Sequence, residues 1–174
     1  RLADKYHGPT IFEREAALAW TKSQVEMRHL GIEPEDAYLF QRLASRILYS
    51  DPSLRPGPPV LALNSKTQAD LWPYGISGDT PIVLVRLDQP EGISTVQQLL
   101  KAHEYLRMKG LVFDLVILNE HPPSYIQSLQ DELLRVVRAS GESQFLDKNG
   151  GVFLKRADQM SEPDRILLHT VARA

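Results

Sequence analysis

The sequence has no cysteine, which removes disulfides, thiolate metal centres and cysteine nucleophiles at once and leaves the redox compartment open. It also lacks an excess of either charge: 20 Lys and Arg stand against 22 Asp and Glu over 174 residues, a formal net charge of −2. With no basic surplus there is little to neutralise a nucleic-acid backbone, and with no block of like charges there is no polyelectrolyte tail. No apolar run approaches the roughly 20 residues of a membrane-spanning helix. The opening RLADKYHGPT has no apolar signal-peptide core. It lacks an initiator methionine too, and the chain stops at RILLHTVARA while helical periodicity is still running, so the expectation is a piece of a larger protein. What is present, 43% hydrophobic and 24% charged residues, fits one globular domain with a small helical annex.

The first third predicts two helices forming a hairpin. Thr10 with Glu13 has the spacing of a capping box, and Phe12, Ala16, Trp20, Met27 and Leu30 recur at helical spacing before Gly31. A second helix is expected from Pro34, with the stripe Ala37, Phe40, Leu43, Ala44 and Ile47. DPSLRPGPPV, with four prolines and a glycine in ten residues, is the best boundary. NSKTQADL admits a short helical turn. The expected organisation is a helical annex over 1–52, a Pro/Gly-rich connection over 53–80, and a βα-repeat domain over 81–174.

From Pro81 strands and helices alternate. IVLVRL at 82–87 and VFDLVIL at 112–118 are short and nearly continuously apolar, as strands covered on both faces are. Ser94 with Gln97, Ser124 with Gln127, and Ser161 followed by Pro163 and Asp164 mark helix starts, while Gly110 and Gly141 mark ends. QFLDKNGGVFLKR has the pattern of two short strands about a turn, which predicts one antiparallel edge strand. The fold class is α/β: a small, mostly parallel sheet of three to five strands with flanking helices, preceded by an α-helical hairpin.

Several chemistries find no support. LWPYGISGD has two glycines, but it precedes a strand, whereas a phosphate-gripping turn must follow a strand and open a helix. There is no Gly-x-Ser-x-Gly elbow and no His-Glu-x-x-His, and the five histidines are scattered. His103 falls inside a helix, where a surface or partly buried role is expected. Two places remain. Ligands of open α/β sheets sit beyond the carboxyl ends of strands, which points to Asp88, to Asn119, Glu120 and His121, and to Arg156 with Asp158. Glu120 beside His121 would supply an acid and a base; the bland alternative is a solvated turn. Trp72 and Tyr74 offer flat rings to a sugar; the alternative is that they pin the helical annex to the sheet. No metal, cofactor or catalytic residue is expected.

Three segments, AWTKSQVEMRHLGIEPEDAYLFQRLASRILYSDP, LWPYGISGDTPIVLVRL and LLKAHEYLRMKGLVFDLVILNEHPPSYIQSLQDELLR, carry a resemblance to an internal region of the cyclic β-1,2-glucan synthases, beside their cellobiose phosphorylase-like part. The likeness runs from about Phe12 to Ala174, and GISGD-x-PIVLVR is its most specific phrase. It implies a large parent in the bacterial inner membrane that builds β-1,2-linked glucose from UDP-glucose, with a phosphorylase-like part governing chain length. For this region it implies a non-catalytic α/β module on the cytoplasmic side, whose partners are neighbouring domains of the same polypeptide, with β-glucan as a ligand it admits. The transferase motifs Gln-x-x-Arg-Trp and Asp-x-Asp are missing, so no catalytic residue is carried over.

Overall fold

The computed structural model describes residues 8–49, 51–122 and 128–174. It comprises two compact units, one reaching to Tyr38 and one from Leu39 to Ala174. The first holds helix α1, Pro9–His29, and the start of α2, Pro34–Leu48. Helix α1 begins one residue after Gly8, which caps it without a side chain, so the Thr10–Glu13 capping box is not used. Nor does its stripe form core: Phe12 is 80% and Trp20 67% exposed. Helix α2 starts at Pro34 as expected, with Glu35 and Asp36 favourably placed against its positive end.

The second unit is built on a three-stranded parallel sheet in the order β1-β2-β3: Ile82–Leu87, Asp114–Asn119 and Val152–Arg156. The register pairs Leu84 with Val116 and Val116 with Phe153. Helices α4, Ile93–Met108, and α5, Ser128–Ala139, carry the two crossovers, and helix α6, Glu162–Val171, follows β3. Right-handed crossovers between strands laid down in this order put α4 and α5 on the same face. The opposite face is closed by α6 and a 3₁₀ turn over Gln68–Tyr74: Ile82, Val116, Leu118 and Phe153 pack there with Leu71, Ile76, Leu167 and Leu168. Short helix α3, Pro58–Ala62, lies against α6, and the later half of α2 brings Phe40 to Tyr105 of α4, ring centres 5.9 Å apart.

Several local expectations change. Residues 143–151 supply no antiparallel strand: Ser143–Phe145 is a 3₁₀ turn, and Leu146 makes one isolated parallel bridge to Val152. Gly151 explains why the chain turns so tightly there, since a Cβ at that position would lie 2.1 Å from the Phe145 carbonyl oxygen. Helix α4 is capped by Gly92 without a side chain, while the Ser94 hydroxyl only bonds back to the Glu91 carbonyl at 3.4 Å. Ser161 does cap α6, accepting from the Asp164 N–H. The Ser124–Gln127 signal lies outside the described residues. Helix α6 ends at Val171, and the last residues run along the outer edge of β1: the Arg173 N–H donates to the Ile82 carbonyl at 2.7 Å and the Leu84 N–H to the Ala174 carbonyl at 2.8 Å. No described helix is long and apolar enough to cross a membrane.

Candidate functional site

At the carboxyl ends of the strands, Asp88 is exposed just beyond β1, and Asn119, Glu120 and His121 close β2. Asn119, Glu120 and His121 each make polar contacts within the protein. The Asn119 amide donates to Gln130 Oε1 at 2.9 Å, and its oxygen accepts the His121 N–H at 3.0 Å. Glu120 pairs with Arg86 Nε at 3.0 Å, and His121 Nδ1 donates to the Pro122 carbonyl at 2.9 Å. Arg156 forks onto Asp158. Behind them His169 of α6 has its Nε2 buried with no hydrogen-bond partner among the described residues. Burial, and then the Arg86 charge, hold the His169 imidazole below its ordinary value against the opposing pull of Glu120. A sheet ordered β1-β2-β3 contains no reversal of strand order, and that reversal is what opens a ligand crevice in larger α/β sheets.

The amino end of the sheet is organised differently. The turn Gln68–Tyr74 carries a capping box between Thr67 and Asp70 and ends on Gly75, whose φ of 76° belongs to the left-handed region. Gly78, at φ 74°, turns the chain again. Gln68 Nε2 ties the loop together by donating to the Ser77 carbonyl and to Asp79 Oδ1, each at 2.9 Å. Ser77 Oγ reaches Asn149 Oδ1 at 3.1 Å, and Thr80 Oγ1 donates to Asp114 Oδ2 at 2.6 Å. Asp114 is fully buried and its other oxygen accepts the Gly150 N–H at 2.7 Å. Burial pushes its carboxyl above the ordinary carboxylate value, and the Thr80 and Gly150 bonds offset only part of that rise.

Trp72 and Tyr74 part company within this turn. Trp72 is 62% exposed, with Nε1 donating to the Ser77 carbonyl at 3.3 Å, so it pins nothing to the sheet. Tyr74 is half-buried and its hydroxyl donates to Asp164 Oδ2 of α6 at 2.9 Å. Asp164 also meets Lys66 at 3.2 Å and the Ser161 hydroxyl, which first among its neighbours holds it below the ordinary carboxylate value. The six residues picked from the sequence therefore lie at opposite ends of the sheet. Between the GISGD loop, β1 and the carboxyl-terminal residues is a cleft of about 350 Å³, lined by Leu71, Ile82 and Val171 with the polar groups of Gln68, Asp79 and Arg173.

A third polar cluster lies inside. His103, fully buried rather than at the surface, faces the Phe113 carbonyl with Nε2 at 2.9 Å and Glu142 Oε2 with Nδ1 at 2.6 Å. Arg107 Nη2 meets the other Glu142 oxygen at 2.7 Å. Burial raises the Glu142 carboxyl, but the bonds from His103 and Arg107 outweigh it and the net direction is downward. The Phe113 carbonyl can only accept, so His103 Nε2 donates to it while Nδ1 faces the Glu142 carboxyl. The cluster is enclosed and joins α4 to the loop after α5, which makes it a structural tie. Sequence reading missed Asp114, whose signal was a lone acid in the apolar run VFDLVIL. His103 and Glu142 had none, being 39 residues apart. Among the described residues no three His, Asp or Glu side chains gather to hold a metal.

These features define a small α/β domain with a parallel three-stranded sheet and a hydrogen-bonded loop at its amino end. No family model matches the chain. It is 36% identical over 177 residues to the cyclic β-(1,2)-glucan synthase NdvB of Rhizobium meliloti (strain 1021), across the whole of this chain. The chain spans 6% of that protein's length. The relation anticipated from GISGD-x-PIVLVR is thus supported along the full chain.

Proposed function

We propose that the chain is a non-catalytic α/β module of a cyclic β-1,2-glucan synthase, which spaces or docks the carbohydrate-active domains of the same polypeptide. The similarity along its entire length to a cyclic β-(1,2)-glucan synthase carries this reading. Two features agree with it. The polar groups at the strand carboxyl ends, Asn119, Glu120, His121 and Arg156, are spent on internal bonds. Helix α1 exposes Phe12, Leu18 and Trp20, apolar surface of the kind that interdomain contacts cover. The parent is then an inner-membrane enzyme using UDP-glucose, with this module on its cytoplasmic side. Incubated alone with β-1,2-glucan and phosphate, or with UDP-glucose, the chain is expected to give no turnover. Glucose 1-phosphate or UDP release above a boiled control would overturn the reading.

One observation favours a second reading, a catalytic or sugar-binding site at the carboxyl ends around Asp88, Asn119, Glu120 and His121: the unpartnered His169 Nε2 beside Arg86 and Glu120. On that reading calorimetry with UDP-glucose gives a saturable signal that a Glu120→Ala/His121→Ala double variant abolishes. A flat titration removes it.

A further inference from the structure

Strand β1 has the composition of an interior strand and the position of an outer one. IVLVRL is nearly all apolar and holds neither proline nor lysine, the residues that commonly blunt a free edge, and its one charge, Arg86, turns to Glu120 at the end of β2. The opposite edge is guarded. Strand β3 ends in Lys155 and Arg156, and the Asp147 N–H donates to the Val152 carbonyl at 2.8 Å from outside the sheet.

The parallel register fixes which groups of β1 are left over. The Asp114 and Glu120 N–H groups donate to the Pro81 and Leu87 carbonyls, so odd-numbered residues bond to β2 while Ile82, Leu84 and Arg86 turn their backbone groups outward. The first of these are taken. The Arg173 N–H donates to the Ile82 carbonyl and the Leu84 N–H to the Ala174 carbonyl, an order that rises along both segments and is therefore parallel. The Leu84 carbonyl and the Arg86 N–H have no hydrogen-bond partner among the described residues.

Chain direction points to the same edge. Strands β1, β2 and β3 advance one way with α4 and α5 on one face, whereas α6 packs on the other. A right-handed crossover whose helix changes face also reverses its direction across the sheet, which carries the chain from β3 back past β2 to the free side of β1. Ala172, extended at φ −57° and ψ 136°, leads Arg173 and Ala174 to that side.

We propose that the free edge of β1, from Leu84 to Leu87, takes a fourth parallel strand formed by the polypeptide that follows Ala174 in the longer protein. The sheet is then wound in both directions from β1, with the new strand outside it. Alternate residues of that segment donate to the Leu84 carbonyl and accept from the Arg86 N–H, and those facing α6 extend the apolar layer of Ile82 and Leu84. It rests on the module reading only in letting the polypeptide run on past Ala174, as the 6% span within the longer relative supports. Turnover by the chain would end the module role and leave the strand pairing untouched.

Amide hydrogen exchange tests it on the 174-residue chain, on the same chain carrying about ten of its natural following residues, and on the full-length polypeptide. The Arg86 amide is expected to exchange freely in the first and at least about tenfold more slowly in the other two. Arg86→Pro deletes an N–H that the 174-residue chain leaves unpaired, so against Arg86→Ala it is expected to change the thermal midpoint little there and to lower it clearly in the two longer forms. Val85→Pro, which removes a bond to β2, lowers the midpoint in all three. Equal Arg86 exchange in all forms overturns the proposal, as does an Arg86→Pro midpoint equal to that of Arg86→Ala in the full-length polypeptide. Protection in the full-length form that the extended chain lacks assigns the edge to another segment and also overturns it. Protection of the 174-residue chain that grows with concentration, with a dimer in sedimentation, assigns the edge to a second copy and overturns it equally.

Discussion

Single residues carry the largest contrasts. Removing His103 by His103→Ala leaves the Glu142 carboxylate buried with only Arg107, so a loss of roughly 3–5 kcal/mol is expected, read by urea unfolding at neutral pH. The pH dependence follows from the direction of each shift. Glu142 is held below its unfolded value, so its contribution is present above the ordinary glutamate range and is lost as pH falls through the lower folded value. Asp114 runs the other way: its raised carboxyl costs nothing below the ordinary aspartate range and weighs against folding as pH rises through its folded value. Asp114→Asn is therefore expected to gain on the unsubstituted chain between acid and neutral pH. Asp114→Ala, which strands the Thr80 hydroxyl and the Gly150 N–H, is expected to lose about 1–3 kcal/mol throughout. A stability difference between Asp114→Asn and the unsubstituted chain that is flat from acid to neutral pH would show that the buried carboxyl is not strained.

At the scale of elements, start signals in the sequence sorted into used and unused ones. Ser161 accepts the Asp164 N–H at the head of α6, whereas Thr10 and Ser94 sit inside helices already begun after Gly8 and Gly92. Ser161→Ala should therefore cost about 1 kcal/mol and Thr10→Ala only a few tenths, both measurable by thermal melts. A capping pattern states that two side chains are at a useful spacing, but glycine can open the helix two residues earlier and leave them idle. Strands were more legible. Ile82–Leu87 matches the apolar run in IVLVRL, and β2 begins at Asp114 because Val112 is exposed while Phe113 turns inward. The antiparallel edge strand failed for a physical reason: the residues before Gly151 form a tight turn against Phe145, and their one bridge to the strand, Leu146 to Val152, is parallel.

For the whole molecule, the first unit and the α/β unit differ in how much they bury. None of the described side chains of helix α1 is buried, while the sheet strands β2 and β3 begin with runs that are fully enclosed. Removing the residues before Gly31 is expected to leave the thermal transition of the α/β unit within about 4 °C of its original midpoint, followed by near-UV circular dichroism. A loss of the cooperative transition would mean that α1 is part of the same folding unit.

By itself the sequence determined the class of fold, the three strand positions and the absence of thiol chemistry, because composition and local apolar periodicity are properties of neighbouring residues; the likeness to a cyclic β-1,2-glucan synthase came instead as a resemblance of particular segments. The tertiary structure alone decided which polar residues are buried and which aromatics are free. Asp114 meets Gly150 from 36 positions away, His103 meets Glu142 from 39, and Tyr74 reaches Asp164 from 90, while Trp72, two residues before Tyr74, stays exposed. Those outcomes depend on which distant segments the parallel register brings alongside, and no local spacing encodes them.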